Sequence, residues 1–113
     1  MAKNLAMNLL LDVYGVMLTN RQNDIMELYY QHDLSLGEIS EETSITRQGV
    51  MNCLRKSERR LFELERKLGL ILKLRELEVD IAELEQLVMT AEVKNEYLMS
   101  EIDEKIVEIK RKL

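Results

Sequence analysis

A chain of 113 residues has room for one small domain and an extension, and its 46% hydrophobic content can supply a core. The chain has no proline, four glycines and 33% charged residues, a composition that favours helices over a turn-rich sheet. We therefore expect an all-α protein that is too small for a two-domain enzyme.

Cysteine and histidine are too scarce for disulfide or zinc chemistry. A single cysteine cannot form an internal disulfide, and one cysteine with one histidine cannot supply a zinc site of the usual kind. The longest apolar runs are far shorter than the roughly 20 residues that a membrane span requires. We expect a cytoplasmic protein with no cofactor, no metal and no membrane insertion.

The net charge of −5 conceals one basic segment. Residues 46–60 contain five arginines or lysines against one glutamate, whereas residues 68–113 contain seven basic and eleven acidic residues. This contrast favours two parts, a helical N-terminal domain over residues 1–67 and an acidic tail over residues 68–113.

Apolar residues recur at helical spacing near the N-terminus and predict a helix over residues 3–17. Its expected apolar face consists of Leu5, Leu9, Leu10, Val13, Val16 and Met17. Thr19 and Gln22 then have the spacing of a capping box, which predicts the start of a second helix. That helix should place Ile25, Leu28 and Tyr29 inward, leave Tyr30 exposed and end near residues 32–33.

A second capping box, Ser35 with Glu38, predicts a short helix that carries Ile39 inward and runs to about Thr43. Ser44 and Ile45 form the turn that follows. Ser44 occupies a position where φ is often positive and glycine is usual.

Thr46 is placed to cap a longer helix, in which Val50, Leu54 and Leu61 repeat at helical spacing. A short helix, a turn and a longer basic helix over residues 34–61 are the sequence form of a helix-turn-helix. The expected nucleic-acid-binding residues are Thr46, Arg47, Gln48, Met51, Asn52, Arg55, Lys56, Arg59 and Arg60. The side chains expected to point outward from the start of this helix and to meet base edges are Arg47, Gln48, Met51 and Asn52. Those farther along, which can meet phosphates, are Arg55, Lys56, Arg59 and Arg60. A compact scaffold without DNA binding is the alternative interpretation.

Catalytic residues are not apparent in the sequence. His32 is alone beside Asp33 at a predicted helix end, and Cys53 falls near the inward face of its helix. The acidic pairs, such as Glu41 with Glu42, lie on predicted solvent faces. We predict that the protein is not an enzyme.

The tail carries a heptad pattern that begins at Leu70. Its a positions are Leu74, Ile81, Val88, Asn95, Ile102 and Ile109, and its d positions are mostly leucine. Without a break, this tail would be a rod of roughly 66 Å, with Asn95 as a register device. Thr90 could instead cap a new helix, so a soft spot or turn between Thr90 and Asn95 is the alternative.

The apolar stripe of the tail needs a partner. Ile71, Leu87, Met99 and Ile106 broaden it, and a parallel dimer would set Asp80 against Glu85. We therefore expect a bundle, either antiparallel or against helix one, and a homodimer through the C-terminal helices.

Residues 18–22, 34–42 and 45–50 resemble region 4 of the sigma-70 class of transcription factors, and the whole chain is similar to the YlxM-like family of small bacterial proteins. The resemblance implies a helix-turn-helix fold, a regulatory role and a link by gene neighbourhood to the signal recognition particle pathway. It leaves two functions open. One is a DNA-binding regulator, and the other is an adaptor that binds a protein or RNA component of that particle.

Overall fold

The computed structural model describes residues 5–90 and 95–113, and the chain divides into two compact units, residues 1–69 and 70–113. Every regular element in the described part is helical, which confirms the all-α prediction. The helices are α1 (Leu5–Tyr14), α2 (Asn20–Tyr30), α3 (Leu36–Thr43), α4 (Arg47–Leu68), α5 (Leu70–Thr90) and α6 (Glu96–Lys112), with a 3₁₀ turn at Gly15–Met17. No helix in these ranges is long and apolar enough to cross a membrane.

Helix α4 is the centre of the first unit, because α1, α2 and α3 all pack against it. Its buried residues are Val50, Leu54, Ser57, Leu61 and Leu64. They follow one another in steps of four and three, the spacing of a single helix face. The predicted inward positions of Val50, Leu54 and Leu61 are confirmed. Gly69, with φ of 60°, ends the helix in the left-handed conformation.

The apolar face predicted for the first helix is only partly correct, because Leu10 is buried as expected but Leu5, Val16 and Met17 are exposed. Leu5 and Val16 are 80% and 87% exposed, and the buried residues of α1 are Met7, Leu10, Leu11 and Tyr14. Apolar side chains surround this helix almost completely, so spacing alone could not identify the face that meets α4. The predicted helix also extends too far, since the described helix ends at Tyr14 and residues 3 and 4 lie outside the described residues.

Helix α2 begins where the sequence predicted, and its buried face agrees with the prediction only in part. Thr19 accepts from the backbone N–H of Gln22, and the Gln22 side chain accepts from the N–H of Thr19, which confirms the capping box. Ile25 is buried as expected, but Leu28 and Tyr29 are only half-buried. Tyr30, expected to be exposed, is buried together with Met26.

The second unit is an antiparallel pair of helices, not one rod. Glu85 of α5 forms an ion pair with Lys110 near the end of α6, at 2.5 Å between Oε1 and Nζ. Ile81 and Ile106 are buried within this unit. The opposite running directions explain how the tail covers part of its own apolar stripe.

Two roles predicted in the middle of the tail are corrected. Thr90 caps no new helix, because it ends α5 and its hydroxyl donates to the carbonyl oxygens of Gln86 and Leu87. Asn95 is the N-cap of α6, where its side chain accepts from the N–H of Leu98, so it is not an interhelical register device. Residues 91–94, which include the seam residue Ala91, lie outside the described residues.

Candidate nucleic-acid interface

The predicted helix-turn-helix is formed by α3, a three-residue connection and α4. Ser35 caps α3 through the reciprocal bonds with Glu38 that define a capping box. Ser44 ends α3 with φ of 59°, the left-handed conformation expected at this position. Thr46 then caps α4 by accepting from the N–H of Gly49 at 3.0 Å. The predicted caps and turn of the motif are therefore confirmed, whereas α4 runs on to Leu68, beyond the predicted end of the motif at residue 61.

The turn is held by packing as well as by caps. Ile39 and Val50 are fully buried on either side of it. The Ser40 hydroxyl donates to the carbonyl oxygen of Ile45, so α3 is tied to the residue before the cap of α4. A Cβ at Gly49 would lie 2.6 Å from Cγ2 of Ile45, so only glycine permits this close approach.

Eight of the nine predicted contact residues are exposed, and all nine lie at or after the N-cap of α4. Met51 is the exception, because it is half-buried and offers less surface than expected. The structure thus brings the predicted residues onto one helix and leaves most of their side chains open to solvent.

Gln48 and Asn52 form a linked pair on the first turns of α4. Nε2 of Gln48 donates to Oδ1 of Asn52 at 3.1 Å. Asn52 keeps its amide N–H groups and Gln48 keeps its carbonyl oxygen for other partners. Arg55 and Arg59 continue the same helix face, since they follow Asn52 by three and seven residues. The face opposite the core therefore has two amides followed by two guanidinium groups.

Arg47 lies apart from this pair. A Cβ on Gly37 would approach Nη2 of Arg47 to 2.7 Å, so the guanidinium lies against the first turn of α3. The sequence had placed Arg47 outward from α4. The structure keeps Arg47 exposed but directs its head group across the turn, where Gly37 leaves room for it.

Lys56 and Arg60 form a second, separate row. They are four residues apart, so they lie together on one side of α4, and both are exposed. They lie on one flank of the face that Arg55 and Arg59 occupy. The basic segment therefore has its cations in two adjacent rows along α4, where they can meet DNA phosphates.

Two tyrosines hold α4 on the side that faces the core. Tyr30 of α2 donates to Oε1 of Glu58 at 2.6 Å, and Tyr14 of α1 donates to Oε1 of Glu65 at 2.5 Å. Burial and the hydrogen bond to Glu58 raise the pKa of Tyr30 well above its ordinary value. One oxygen of Glu58 is thereby bound to α2, and one oxygen of Glu65 is bound to α1.

The second half of α4 contains candidate contact residues that were not predicted from the sequence. Phe62, the only phenylalanine, is 56% exposed and lines a shallow groove with Arg55, Arg59 and Arg66, together with Glu58 and Glu63. The steps of four, three and four from Arg55 to Arg66 are helical and could have revealed this row. The basic surface therefore extends beyond residue 60 and includes an aromatic ring.

The residues considered for catalysis are not brought together. His32 is exposed in the connection between α2 and α3, and Cys53 is half-buried in α4. Among residues 5–90 and 95–113, no group of three or more histidine, cysteine or acidic side chains could hold a metal ion.

Comparison with known proteins agrees with this architecture. The family described as "Putative helix-turn-helix protein, YlxM / p13 like" matches residues 1–111. A relative from Bacillus cereus, named UPF0122 protein, is 41% identical over 101 residues, which are 89% of this chain and 92% of that protein. Another from Desulforamulus reducens, also named UPF0122 protein, is 53% identical over 66 residues, 58% of this chain and 56% of that protein. The chain therefore belongs to the UPF0122 family of YlxM/p13-like helix-turn-helix proteins.

Proposed function

We propose that this chain is a DNA-binding regulatory protein that inserts the first turns of α4 into the major groove. The observation that carries the proposal is the exposed Gln48–Asn52 pair, in line with Arg55 and Arg59 on a capped helix. A recognition helix meets base edges with its first turns, and cations farther along meet phosphates.

The linked amides suit adenine. Adenine presents an acceptor at N7 and a donor at N6 in the major groove. The pair has a free carbonyl oxygen on Gln48 and free N–H groups on Asn52, so it offers one acceptor and one donor from a position fixed by its own hydrogen bond. Arg47 contacts the DNA beside the turn, either at a base or at a phosphate.

The remaining cations position the protein on the duplex. Arg55 and Arg59 lie on the face opposite the core, Lys56 and Arg60 lie on one flank of that face, and Thr46 at the N-terminus of α4 contacts a phosphate with its exposed surface. Contacts of this kind raise affinity for all sequences and make binding sensitive to salt. The excess of acidic over basic residues in the second unit disfavours contact between that unit and DNA phosphates.

We further propose that the protein acts as a homodimer through the second unit. Two copies would present two recognition helices, which is how helix-turn-helix proteins read paired half-sites. The exposed leucines of α5 supply the surface for this association.

One observation favours a second candidate function, an adaptor for a protein or RNA component of the signal recognition particle. Phe62 and Arg66 lie 10 and 14 residues beyond Asn52, about 15 and 21 Å along the helix. A straight helix leaves the major groove over such a distance, so Phe62 and Arg66, at the far end of the groove, are not needed for DNA binding. Aromatic rings flanked by arginines are common at binding surfaces for proteins and for single-stranded nucleic acid.

Binding of labelled genomic DNA fragments tests the first function against the second. The protein should bind DNA at low salt, and Gln48→Ala should reduce discrimination between sequences, whereas Lys56→Ala should weaken all sequences alike. Arg47→Ala should reduce discrimination if Arg47 contacts a base, and should weaken all sequences alike if Arg47 contacts a phosphate. Absence of DNA binding at low salt, with binding to purified particle protein or its RNA that Phe62→Ala abolishes, would replace the regulator with the adaptor.

A further inference from the structure

Three leucines form an uncovered line along α5. Leu70, Leu77 and Leu84 are separated by seven residues and remain 43%, 41% and 47% exposed. They occupy d positions of the heptad pattern, whereas Ile81 at an a position is buried. Within α5, folding of the second unit thus covers the a positions Leu74, Ile81 and Val88 at least partly and leaves these d positions exposed. We call Leu70, Leu77 and Leu84 the leucine face.

We propose that the leucine face binds the same face of a second copy of this chain, with the two α5 helices antiparallel and related by a two-fold axis at Leu77. This inference rests on the proposed homodimer and names its interface. Leu77 then packs against Leu77 of the second copy, and Leu70 packs against Leu84. The equal spacing on either side of Leu77 makes the face complementary to itself, as a two-fold interface requires.

The charges beside the leucines favour the antiparallel direction. Lys73 and Asp80 are exposed and are seven residues apart on the same flank of the face. In the antiparallel pair, residues at these positions face each other, so Lys73 of each copy meets Asp80 of the other. A parallel pair sets Asp80 toward Glu85, a carboxylate that is already bound to Lys110.

The composition of the second unit argues for a protein occupant over a lipid surface. Residues 68–113 contain eleven acidic and seven basic residues. Helices that lie on anionic membranes carry an excess of lysine and arginine on the polar face. A second copy would bury the leucine face and would also pair the opposite charges beside it.

Cysteine cross-linking of the full chain tests the geometry directly. In a Cys53→Ser background, Leu77→Cys should form a disulfide-linked dimer on mild oxidation, because two residues on a two-fold axis come within disulfide range. Leu70→Cys and Leu84→Cys should each remain unlinked alone and should link to one another when differently tagged chains are mixed. Self-linking at Leu70→Cys, or no linking at Leu77→Cys in a protein that is still dimeric, would overturn the proposed interface.

A charge exchange provides an independent test on the reduced protein. Asp80→Lys should weaken self-association roughly tenfold at low salt, because two attractive pairs become repulsive. Adding Lys73→Asp should restore it, whereas Glu83→Lys, the same change of charge at another exposed position of α5, should have little effect. Light scattering should give twice the chain mass of 13.3 kDa for the unmodified protein. A monomer, or no rescue by the double variant, contradicts the proposal.

The outcomes separate this inference from DNA binding. Cross-linking is measured without DNA, so a failure to bind DNA leaves the interface standing. A monomer that still binds DNA removes the interface and the homodimer, and leaves α4 as the DNA-reading element.

Discussion

The hydroxyl of Tyr30 donates a 2.6 Å hydrogen bond to Oε1 of Glu58, and so joins the end of α2 to the middle of α4. Glu65 lies seven residues farther along the same face of α4 and receives the hydroxyl of Tyr14 from α1. Each of the first two helices therefore contributes one tyrosine that fixes the rotation of α4. That rotation determines which side chains face solvent as candidate DNA contacts.

Removing the Tyr30 hydroxyl should destabilise the protein. Tyr30→Phe should lower the free energy of unfolding by about 1 kcal/mol, because the half-buried Glu58 carboxylate loses a donor. Urea unfolding followed by circular dichroism measures the change. Tyr97→Phe is the matched control, because Tyr97 is 74% exposed and should be nearly neutral. Equal effects of both variants would show that Tyr30 has no special role.

The same hydrogen bond predicts a dependence on alkaline pH. Burial, followed by the bond to Glu58, raises the pKa of Tyr30 in the folded protein. The unfolded chain therefore releases this proton near the ordinary tyrosine pKa of about 10, while the folded chain keeps it. The contribution of the Tyr30 hydroxyl to the free energy of unfolding is fully present below about pH 10 and is lost as the pH rises above that value. The free energy of unfolding should fall less steeply above pH 10 in Tyr30→Phe than in the unmodified protein, and parallel curves would contradict the assignment.

Ser44 is a position where glycine should be better than the native residue. Its φ of 59° strains any residue with a Cβ, and glycine adopts this conformation without that penalty. Ser44→Gly should raise the free energy of unfolding by about 0.5–1 kcal/mol, after allowance for the greater freedom of glycine in the unfolded chain. Thermal unfolding measures the effect. Ser44→Ala keeps the Cβ and should not stabilise, so a gain with alanine would refute the strain explanation.

Gly37 should control the position of Arg47. A Cβ at residue 37 would lie 2.7 Å from Nη2 of Arg47, so Gly37→Ala must displace the guanidinium. The variant should fold normally, since alanine favours a helix, yet its DNA affinity should fall about as far as that of Arg47→Ala. The double variant should be no weaker than either single one when measured by fluorescence anisotropy, because both changes remove one contact. Additive losses would mean that Gly37 acts independently of Arg47.

Local signals in the sequence were sufficient for the caps of the motif and for the buried face of α4, but insufficient for the buried faces of α1 and α2. The caps at Thr19, Ser35 and Thr46 were predictable because each depends on residues two or three positions away. The buried face of α1 was not predictable, since apolar residues occur on all its sides and contact with α4 decides which are covered. Burial of Tyr30 likewise depends on Glu58, 28 residues away.

The residues of the candidate site were predicted from the sequence, but the contacts of their side chains were not. Its nine residues were identified from charge and helical position, and eight are exposed. The bond between Gln48 and Asn52 could have been anticipated from their spacing of four. The placement of Arg47 over Gly37 depends on the angle between α3 and α4, which no short segment specifies.

The salt dependence of DNA binding tests the central claim most directly. Affinity for a labelled duplex, measured by anisotropy at several salt concentrations, should fall with a log–log slope of about −0.9 for each phosphate contact. Contacts by Arg55, Lys56, Arg59 and Arg60 predict a slope of roughly −3 to −4 for each copy of the chain, and Lys56→Ala should reduce its magnitude by about one. Absence of binding at low salt, or an affinity that salt and Lys56→Ala leave unchanged, would contradict the account of α4 as a DNA-recognition helix.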